Sequence, residues 1–187
     1  MTGASGITSY AWTREAGSVG RSAAMELDKL DARLLDLMQR NNRLTSEELA
    51  AKVGLSASGV QRRLKRLRSE GIIEADVSII SPKAIGRSVT VLVLVYFERA
   101  RADIVDRFKR AICRMPEVMS GFHVTGRADF ALLVTANDLE EYEMFTRRLV
   151  RQNPDIKRLE TMVVLDRAKA GFTVPLASIA CWSPMLT

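Results

Sequence analysis

The chain has 187 residues, 47% of them apolar and 27% charged, with 28 Lys and Arg against 22 Asp and Glu for a net charge of +6. These values are typical of a folded globular protein with one large or two small domains, and they exclude a disordered or collagen-like chain. The longest apolar run, residues 89–97, is far shorter than the roughly 20 residues that cross a bilayer. Two cysteines give neither a disulfide framework nor zinc-ligand spacing. We therefore expect a cytoplasmic protein with no membrane association, bound metal or cofactor.

The first third of the chain predicts a loose tail and then three helices. Residues 1–24 are rich in Gly, Ser, Ala and Thr and lack the apolar core of a secretory signal, so we expect a flexible tail there. Asp28 is a good cap for a first helix. Thr45 and Glu48 have the spacing of a capping box for a second helix, which Gly54 can end before a third begins near Ser56.

The third predicted helix is amphipathic, with an apolar stripe on one side and a basic, polar face on the other. A helix, a tight turn containing glycine and a second helix with such a face form the helix-turn-helix arrangement, whose second helix fits the major groove of DNA. A solvated basic face is the simpler alternative. A strand-like run at 72–80 predicts a wing, so we assign residues 25–80 to a winged helix-turn-helix domain. The candidate DNA-binding residues are Arg43, Ser56, Ser58, Gly59, Gln61, Arg62, Arg63, Lys65 and Arg66.

A second domain follows a turn-rich linker at 81–88. Its pattern predicts strands at 89–97, 121–125, 130–135 and 159–165, with helices at 104–115 and 139–151. The order βαββαβ predicts a ferredoxin-like α+β domain over residues 89–168, with both helices on one face of the sheet. Residues 169–187 remain as a C-terminal extension.

The strand at 89–97 is apolar at nearly every position, so both of its faces are expected to be buried. Helices of the same chain cover one face, and the same sheet of a second subunit is the simplest cover for the other. We therefore predict an obligate homodimer. Two recognition helices related by a two-fold axis would read a palindromic or semi-palindromic DNA site with half-sites about 34 Å apart.

Several ordered motifs resemble the Lrp/AsnC family of transcriptional regulators. They are Leu27-Asp28-Lys29-Leu30-Asp31, Glu48-Leu49-Ala50, Val53-Gly54-Leu55-Ser56, Arg63-Leu64-Lys65-Arg66-Leu67, Gly71-Ile72-Ile73, Pro116-Glu117-Val118, Val124-Thr125-Gly126 with Asp129, and Asp138-Leu139. The resemblance covers about residues 25–168. It implies a sequence-specific, nucleoid-associated regulator whose dimers assemble into octamers or similar rings and which responds to a small amino acid.

In that family the effector binds between dimers near one hairpin turn, which implies a site here at Val124, Thr125, Gly126, Arg127 and Asp129, with Thr161 as a further member. The chemistry is suitable, because Asp129 could accept from an ammonium group, while Arg127 or the amides around Gly126 could donate to a carboxylate. In the alternative interpretation, Gly126 merely permits the turn and Asp129 caps it.

Two other functions compete with the regulator. Some tetrapyrrole decarboxylases resemble the same two-domain architecture, and His123 is the one residue here that could act as an axial or acid group. No Ser/His/Asp set, phosphate loop or metal cluster accompanies it, so we do not expect an enzyme. The other candidate is a nonspecific chromatin organiser, which would bind DNA with a steep salt dependence and little sequence discrimination.

Overall fold

The computed structural model describes residues 27–169 and 171–176, so the tail predicted at 1–24 lies outside the described residues. These residues form two compact units. One contains residues 27–79 together with 169 and 171–176, and the other contains residues 80–168. Within the described part, each helix is too short or too polar to cross a membrane.

Local capping groups set the ends of the three helices in the first unit. Asp28 caps the first by accepting a hydrogen bond from the Asp31 amide. Thr45 and Glu48 form the predicted capping box at the second. That helix ends at Gly54, which has the left-handed conformation (φ 72°) that glycine adopts at little cost. The helices are α1 (Lys29–Arg40), α2 (Ser46–Val53) and α3 (Ala57–Ser69).

One apolar cluster holds these helices together. The predicted stripe of Val60, Leu64 and Leu67 on α3 is buried, and it shares the cluster with Leu34 of α1 and Leu49 of α2. Full burial of an aliphatic side chain contributes roughly 1.5–3 kcal/mol relative to exposure. The stripe therefore determines which face of α3 turns inward and leaves the opposite face to solvent.

The strand predicted over residues 72–80 is not formed. The amides of Ile72 and Ile73 both donate to the carbonyl of Leu67, which turns the chain at the end of α3. Residues 74–80 then continue without regular secondary structure. An apolar run becomes a strand only where another strand meets its backbone hydrogen bonds, and none of the described residues lies paired beside it.

The second unit has the predicted βαββαβ order. After a short 3₁₀ turn (Lys83–Ile85), its elements are β1 (Val89–Phe97), α4 (Ala102–Ile112), β2 (Val118–His123), β3 (Phe130–Ala136), α5 (Leu139–Gln152) and β4 (Ile156–Val163). The four strands form an antiparallel sheet in the order β2-β3-β1-β4. The predicted α+β fold class is therefore confirmed.

Both helices of this unit pack on one face of the sheet. Val91, Val93 and Val95 of β1 are fully buried and share one cluster with Phe108 of α4 and Phe145 of α5. The alternating residues of β1 point to the opposite face, which neither helix of this unit covers.

Two strands begin about three residues earlier than predicted. β2 starts at Val118, whose amide donates to the carbonyl of Met115 after α4. It ends at His123 because the amide of Val124 donates to the carbonyl of Asp129, which places residues 124–125 in the hairpin turn. β4 starts at Ile156, whose amide donates to the carbonyl of Asn153 at the end of α5. In both cases a turn hydrogen bond, which apolar periodicity does not reveal, sets the boundary.

Candidate functional site

The start of α3 carries small polar side chains that are exposed to solvent. The hydroxyl of Ser56 accepts a hydrogen bond from the Gly59 amide at 3.1 Å, and the hydroxyl of Ser58 lies 3.2 Å from the same oxygen. A Cβ on Gly59 would lie 3.1 Å from Ser56 Oγ, so a larger residue would press on this cap. The exposed start of α3 thus combines the partial positive charge of a helix N-terminus with two hydroxyl groups.

The outer face of α3 carries exposed polar and basic side chains. Gln61, Arg62 and Lys65 are all exposed. Among the described residues, Arg62 and Lys65 form no salt bridge, whereas the other three cations of α3 each form one or two. Those three are Arg63, Arg66 and Arg68. The five cations of α3 look alike in the sequence, but the structure separates them into two without a described salt bridge and three with at least one.

Arg63 and Arg66 point towards the start of α1 and meet two carboxylates there. Arg63 Nη1 lies 2.6 Å from Asp28 Oδ2 and 2.8 Å from Asp31 Oδ1. Arg66 Nη2 contacts the other oxygen of Asp31. The Asp31 side chain is only 1% exposed, so this pair of arginines provides the positive charge that a buried carboxylate requires.

The ion pairs shift the pKa values of their exposed members. The hydrogen bond to Asp31, followed by that to Asp28, raises the pKa of Arg63 above its ordinary value. Burial alone would raise the pKa of Asp28, but hydrogen bonds from the Asp31 amide and from Arg63 outweigh it and lower that pKa. Both shifts favour the charged forms, so the contact persists at neutral pH.

Arg43 and Arg68 are two further cations of the helical unit. Arg43 is exposed in the turn before α2, where its amide donates to Asn41 Oδ1 at 3.0 Å. Arg68 pairs with Asp76 at 3.0 Å. Arg43 is therefore a solvent-exposed cation of the turn before α2, while Asp76 in the segment after α3 neutralises Arg68.

The predicted effector turn, residues 124–129, closes the hairpin between β2 and β3. Gly126 has φ 121°, a conformation that residues with a Cβ rarely adopt. The Asp129 amide donates to the Val95 carbonyl at 2.9 Å, and its Oδ2 accepts from the Phe97 amide at 2.8 Å. Asp129 therefore ties the turn to β1, while its Oδ1 forms no hydrogen bond with the described residues.

Thr161 lies on the other side of β1 from this turn. Thr161 is on β4 and pairs with Val93 of β1. The turn leads into β3, which flanks β1 on the opposite side. The Thr161 hydroxyl is 2.7 Å from the phenolic oxygen of Tyr142 on α5, and both residues line a cleft of about 650 Å³ between α5 and β4. One chain therefore does not bring Thr161 together with the turn.

Sequence reasoning missed Tyr142 and Asp31. Burial raises the pKa of the Tyr142 phenol, and the hydrogen bond with Thr161 partly opposes the shift. Tyr142 has helical spacing with Phe145 and is hidden among core residues. The burial of Asp31 could have been predicted from the sequence, because this charged residue lies one helical turn before Leu34 on the buried stripe of α1.

His123, the residue on which an enzyme would depend, is exposed at the end of β2. Its ring stacks on Phe130, with the two centroids 5.0 Å apart and the planes at 29°. Within residues 27–169 and 171–176 there is no group of three or more His, Cys, Asp or Glu side chains placed to hold a metal ion. The described contacts of His123 are thus packing contacts.

Comparisons with known families match both units. Residues 27–74 match the family described as "Winged helix-turn-helix DNA-binding", and residues 90–174 match the "Lrp/AsnC ligand binding domain". The first match covers the three helices α1 to α3, and the second covers the four-stranded sheet and its two helices.

Individual proteins agree with these families. An uncharacterized HTH-type transcriptional regulator of Sinorhizobium fredii is 66% identical over 153 residues, which are 82% of this chain and 90% of that protein. The DNA-binding transcriptional activator DecR of Escherichia coli is 30% identical over 150 residues, 80% of this chain and 99% of DecR. A solved complex of a Neisseria meningitidis transcriptional regulator with L-Met has a TM-score of 0.75 at 29% identity and covers 82% of this chain and 99% of that one. The resemblance inferred from the sequence is confirmed, and the chain belongs to the Lrp/AsnC family of transcriptional regulators.

Proposed function

We propose that the chain regulates transcription by placing α3 in the major groove of a specific DNA site. The observation that carries this proposal is the outer face of α3, where Arg62 and Lys65 are exposed and form no described salt bridge. At about 100° per residue, Ser58 and Gln61 lie within the same arc of roughly 100°. Arg and Lys suit guanine edges and phosphates, and Gln suits adenine, so this face can both position the protein and read bases.

The uncovered face of the sheet supports a homodimer. Leu92, Leu94 and Leu133 point to this face and are only partly buried. Phe122 and Met162 flank them with 58% and 44% exposure. These apolar residues adjoin at the centre of the face, and Glu160, which pairs with Leu94, adds a charge beside them. An exposed apolar surface of this kind is typical of an interface, and the same face of a second copy is the simplest cover for it. Two α3 helices related by the two-fold axis would then bind half-sites about 34 Å apart.

We also propose that a free amino acid binds between dimers and modulates DNA binding. Asp129 Oδ1 can accept from its ammonium group, and the exposed Arg127 and the Gly126 amide can donate to its carboxylate. Thr161 and the turn lie on opposite sides of β1, so a shared pocket would take them from different subunits. A site between dimers would join them into a higher oligomer, and the Neisseria meningitidis relative solved with L-Met supports the ligand class.

The proposed regulator performs no catalysis and associates with the nucleoid through its DNA contacts. The described contact of the His123 ring, a stack on Phe130, is consistent with a packing role in this proposal. Catalysis of proton transfer needs a group oriented towards the substrate, usually by a partner, and such a partner is not among the described neighbours of this ring.

Fluorescence anisotropy tests the proposal. A duplex enriched from a random pool is titrated with the protein against excess unrelated duplex, with and without pooled amino acids. Sedimentation equilibrium gives the oligomeric state under the same conditions. We expect a dimer or a multiple of it, binding that resists the competitor, and an affinity that shifts with one amino-acid pool.

The outcomes separate the competing functions. Binding that the competitor removes, with a steep salt dependence and no response to amino acids, would indicate a nonspecific chromatin organiser. A stable monomer would contradict the proposed sheet interface. Specific binding without any amino-acid response would support the proposed role of α3 and would reject only the proposed effector site.

A further inference from the structure

A buried carboxylate links the first helix of the DNA-binding unit to α3. Asp31 is 1% exposed, yet its two oxygens bind different arginines one turn apart on α3. Arg63 reaches Oδ1 at 2.8 Å, and Arg66 reaches Oδ2. The Asp28 amide also donates to Oδ2 at 3.3 Å. Each carboxylate oxygen is therefore engaged from a defined direction.

This geometry restrains the rotation of α3 about its own axis. Two guanidinium groups at positions i and i+3 cannot both hold one carboxylate unless that side of the helix faces α1. With Arg63 and Arg66 fixed there, Arg62 and Lys65 point outward. A buried ion pair contributes little net stability compared with apolar packing, and orientation is the better attested role for one.

We propose that Asp31 is a positioning residue for DNA recognition, which restrains α3 in the orientation that its apolar stripe favours and withholds Arg63 and Arg66 from DNA phosphates. The inference rests on the proposed role of α3 and goes beyond it. Cations that are free to reach phosphates bind every sequence equally, because phosphate contacts carry no base information. By holding two of the five cations of α3, Asp31 limits nonspecific affinity and leaves discrimination to the outer face.

The substitution Asp31→Asn tests this role, because it preserves shape and removes the charge. Arg66 loses its buried partner and keeps only Glu70, whose Oε2 lies 3.6 Å from Arg66 Nε, while Arg63 keeps Asp28. Each additional phosphate contact steepens the slope of log affinity against log salt by about 0.9 on duplex DNA. We expect the slope on random DNA to steepen by about 0.9 to 1.8 per subunit, and random-DNA affinity at low salt to rise roughly fivefold.

Asp36→Asn is the matched control. Asp36 lies on the same helix, is 41% exposed and pairs with Arg40 of α1 rather than with α3. The substitution changes net charge by the same amount. Anisotropy titrations with the selected duplex and with a scrambled duplex, each over a series of KCl concentrations, give the affinities and slopes of both variants and the unsubstituted protein.

The proposal predicts that only Asp31→Asn steepens the slope. It also predicts that this variant reduces the ratio of specific to random affinity by about fivefold, because random affinity rises while the less restrained α3 offsets that gain on the selected duplex. It is overturned if the two variants have equal slopes, or if Asp31→Asn lowers both affinities by the same factor, as simple loss of folded protein would. If the unsubstituted protein does not discriminate between the duplexes, the proposed function itself fails, and that result is visible before any variant is compared.

A second variant keeps the test decisive if Asp31→Asn does not fold. Arg66 is 44% exposed, so Arg66→Gln is a milder change. Since we assign Arg66 to Asp31 rather than to DNA, Arg66→Gln should leave the salt slope within error of the unsubstituted value. Lys65→Gln should reduce the slope by about 0.9 per subunit. Equal reductions in the two variants would overturn the proposal.

Discussion

The side-chain amide of Gln39 on α1 pairs with both backbone polar groups of Val174, 135 positions later in the chain. Its Nε2 donates to the Val174 carbonyl at 3.0 Å, and its Oε1 accepts from the Val174 amide at 2.9 Å. Leu176 packs against the apolar cluster of the same unit. After completing the sheet, the chain thus returns to the helical unit, and residues 171–176 are a structural part of it.

Gln39→Ala should loosen this segment. Two hydrogen bonds are lost, and since such bonds contribute about 0.5–1.5 kcal/mol each and these are solvent-exposed, we expect destabilisation of the helical unit by about 1 kcal/mol in total. Hydrogen exchange measures the effect directly, because the Val174 amide should lose its protection. Arg40→Gln, one residue away, is the control and should leave that amide protected. Unchanged exchange at Val174 in the Ala variant would contradict the pairing.

Gly121 on β2 has no room for a methyl group beneath α4. A Cβ there would lie 2.7 Å from Ile112 Cδ1 and 3.2 Å from Leu132 Cδ2. We therefore expect Gly121→Ala to destabilise the sheet unit by about 1 kcal/mol in urea unfolding of the full chain, the low end of the range for overpacking, because Ile112 Cδ1 is the end of a side chain that can shift.

Ile112→Val supplies the test of the cause, since it removes the Cδ1 atom that the new methyl would meet. In a double-mutant cycle, Gly121→Ala should cost less free energy of unfolding in the Val background than alone. Additive costs would show that the destabilisation arises elsewhere, for example from altered backbone freedom at Gly121.

The sequence predicts local features of this chain well and misses features that depend on distant partners. The capping box of Thr45 and Glu48 and the left-handed turn at Gly54 are determined by residues within a few positions, and each is found as predicted. Residues 72–80 have the composition of a strand, but a strand also needs a neighbour, and no described residues pair with them.

The candidate site shows the same division. Composition identifies α3 as basic, but the ion pairs of Arg63 and Arg66 depend on Asp28 and Asp31, more than thirty residues earlier. Helical spacing placed Arg66 on the flank of the outer face, and the structure joins it to a buried carboxylate instead. Single-sequence periodicity specifies which side of a helix is apolar, and it contains no information on which acid a long side chain will reach.

Tyr142 should titrate at a higher pH than an ordinary tyrosine, whose pKa is 10.0, because burial raises the pKa of its phenol. Because the pKa of Tyr142 is higher in the folded than in the unfolded chain, the protonated phenol stabilises the fold fully below pH 10. That stabilisation is lost as the pH rises through the pKa of the folded state. Ultraviolet difference titration against Tyr142→Phe isolates this group.

Thr161→Val should raise the pKa of Tyr142 further, because the hydrogen bond with the Thr161 hydroxyl lowers it. The substitution keeps the β-branched shape, so packing in the cleft between α5 and β4 changes little. If the Tyr142 titration is identical with Val at this position, the contact does not form in solution.

DNA binding and the effector response should separate between two variants in different units. Lys65→Ala removes an exposed cation of α3 and should weaken DNA binding by roughly 1–3 kcal/mol without dissociating the dimer. Asp129→Asn should retain unliganded DNA affinity and reduce the shift produced by the amino acid, because an amide oxygen is a weaker acceptor for an ammonium group. Its side chain can still accept from the Phe97 amide, so the turn should remain folded. Anisotropy titrations with and without amino acid measure both effects, and the division of roles is rejected if Asp129→Asn weakens unliganded DNA binding as much as Lys65→Ala does.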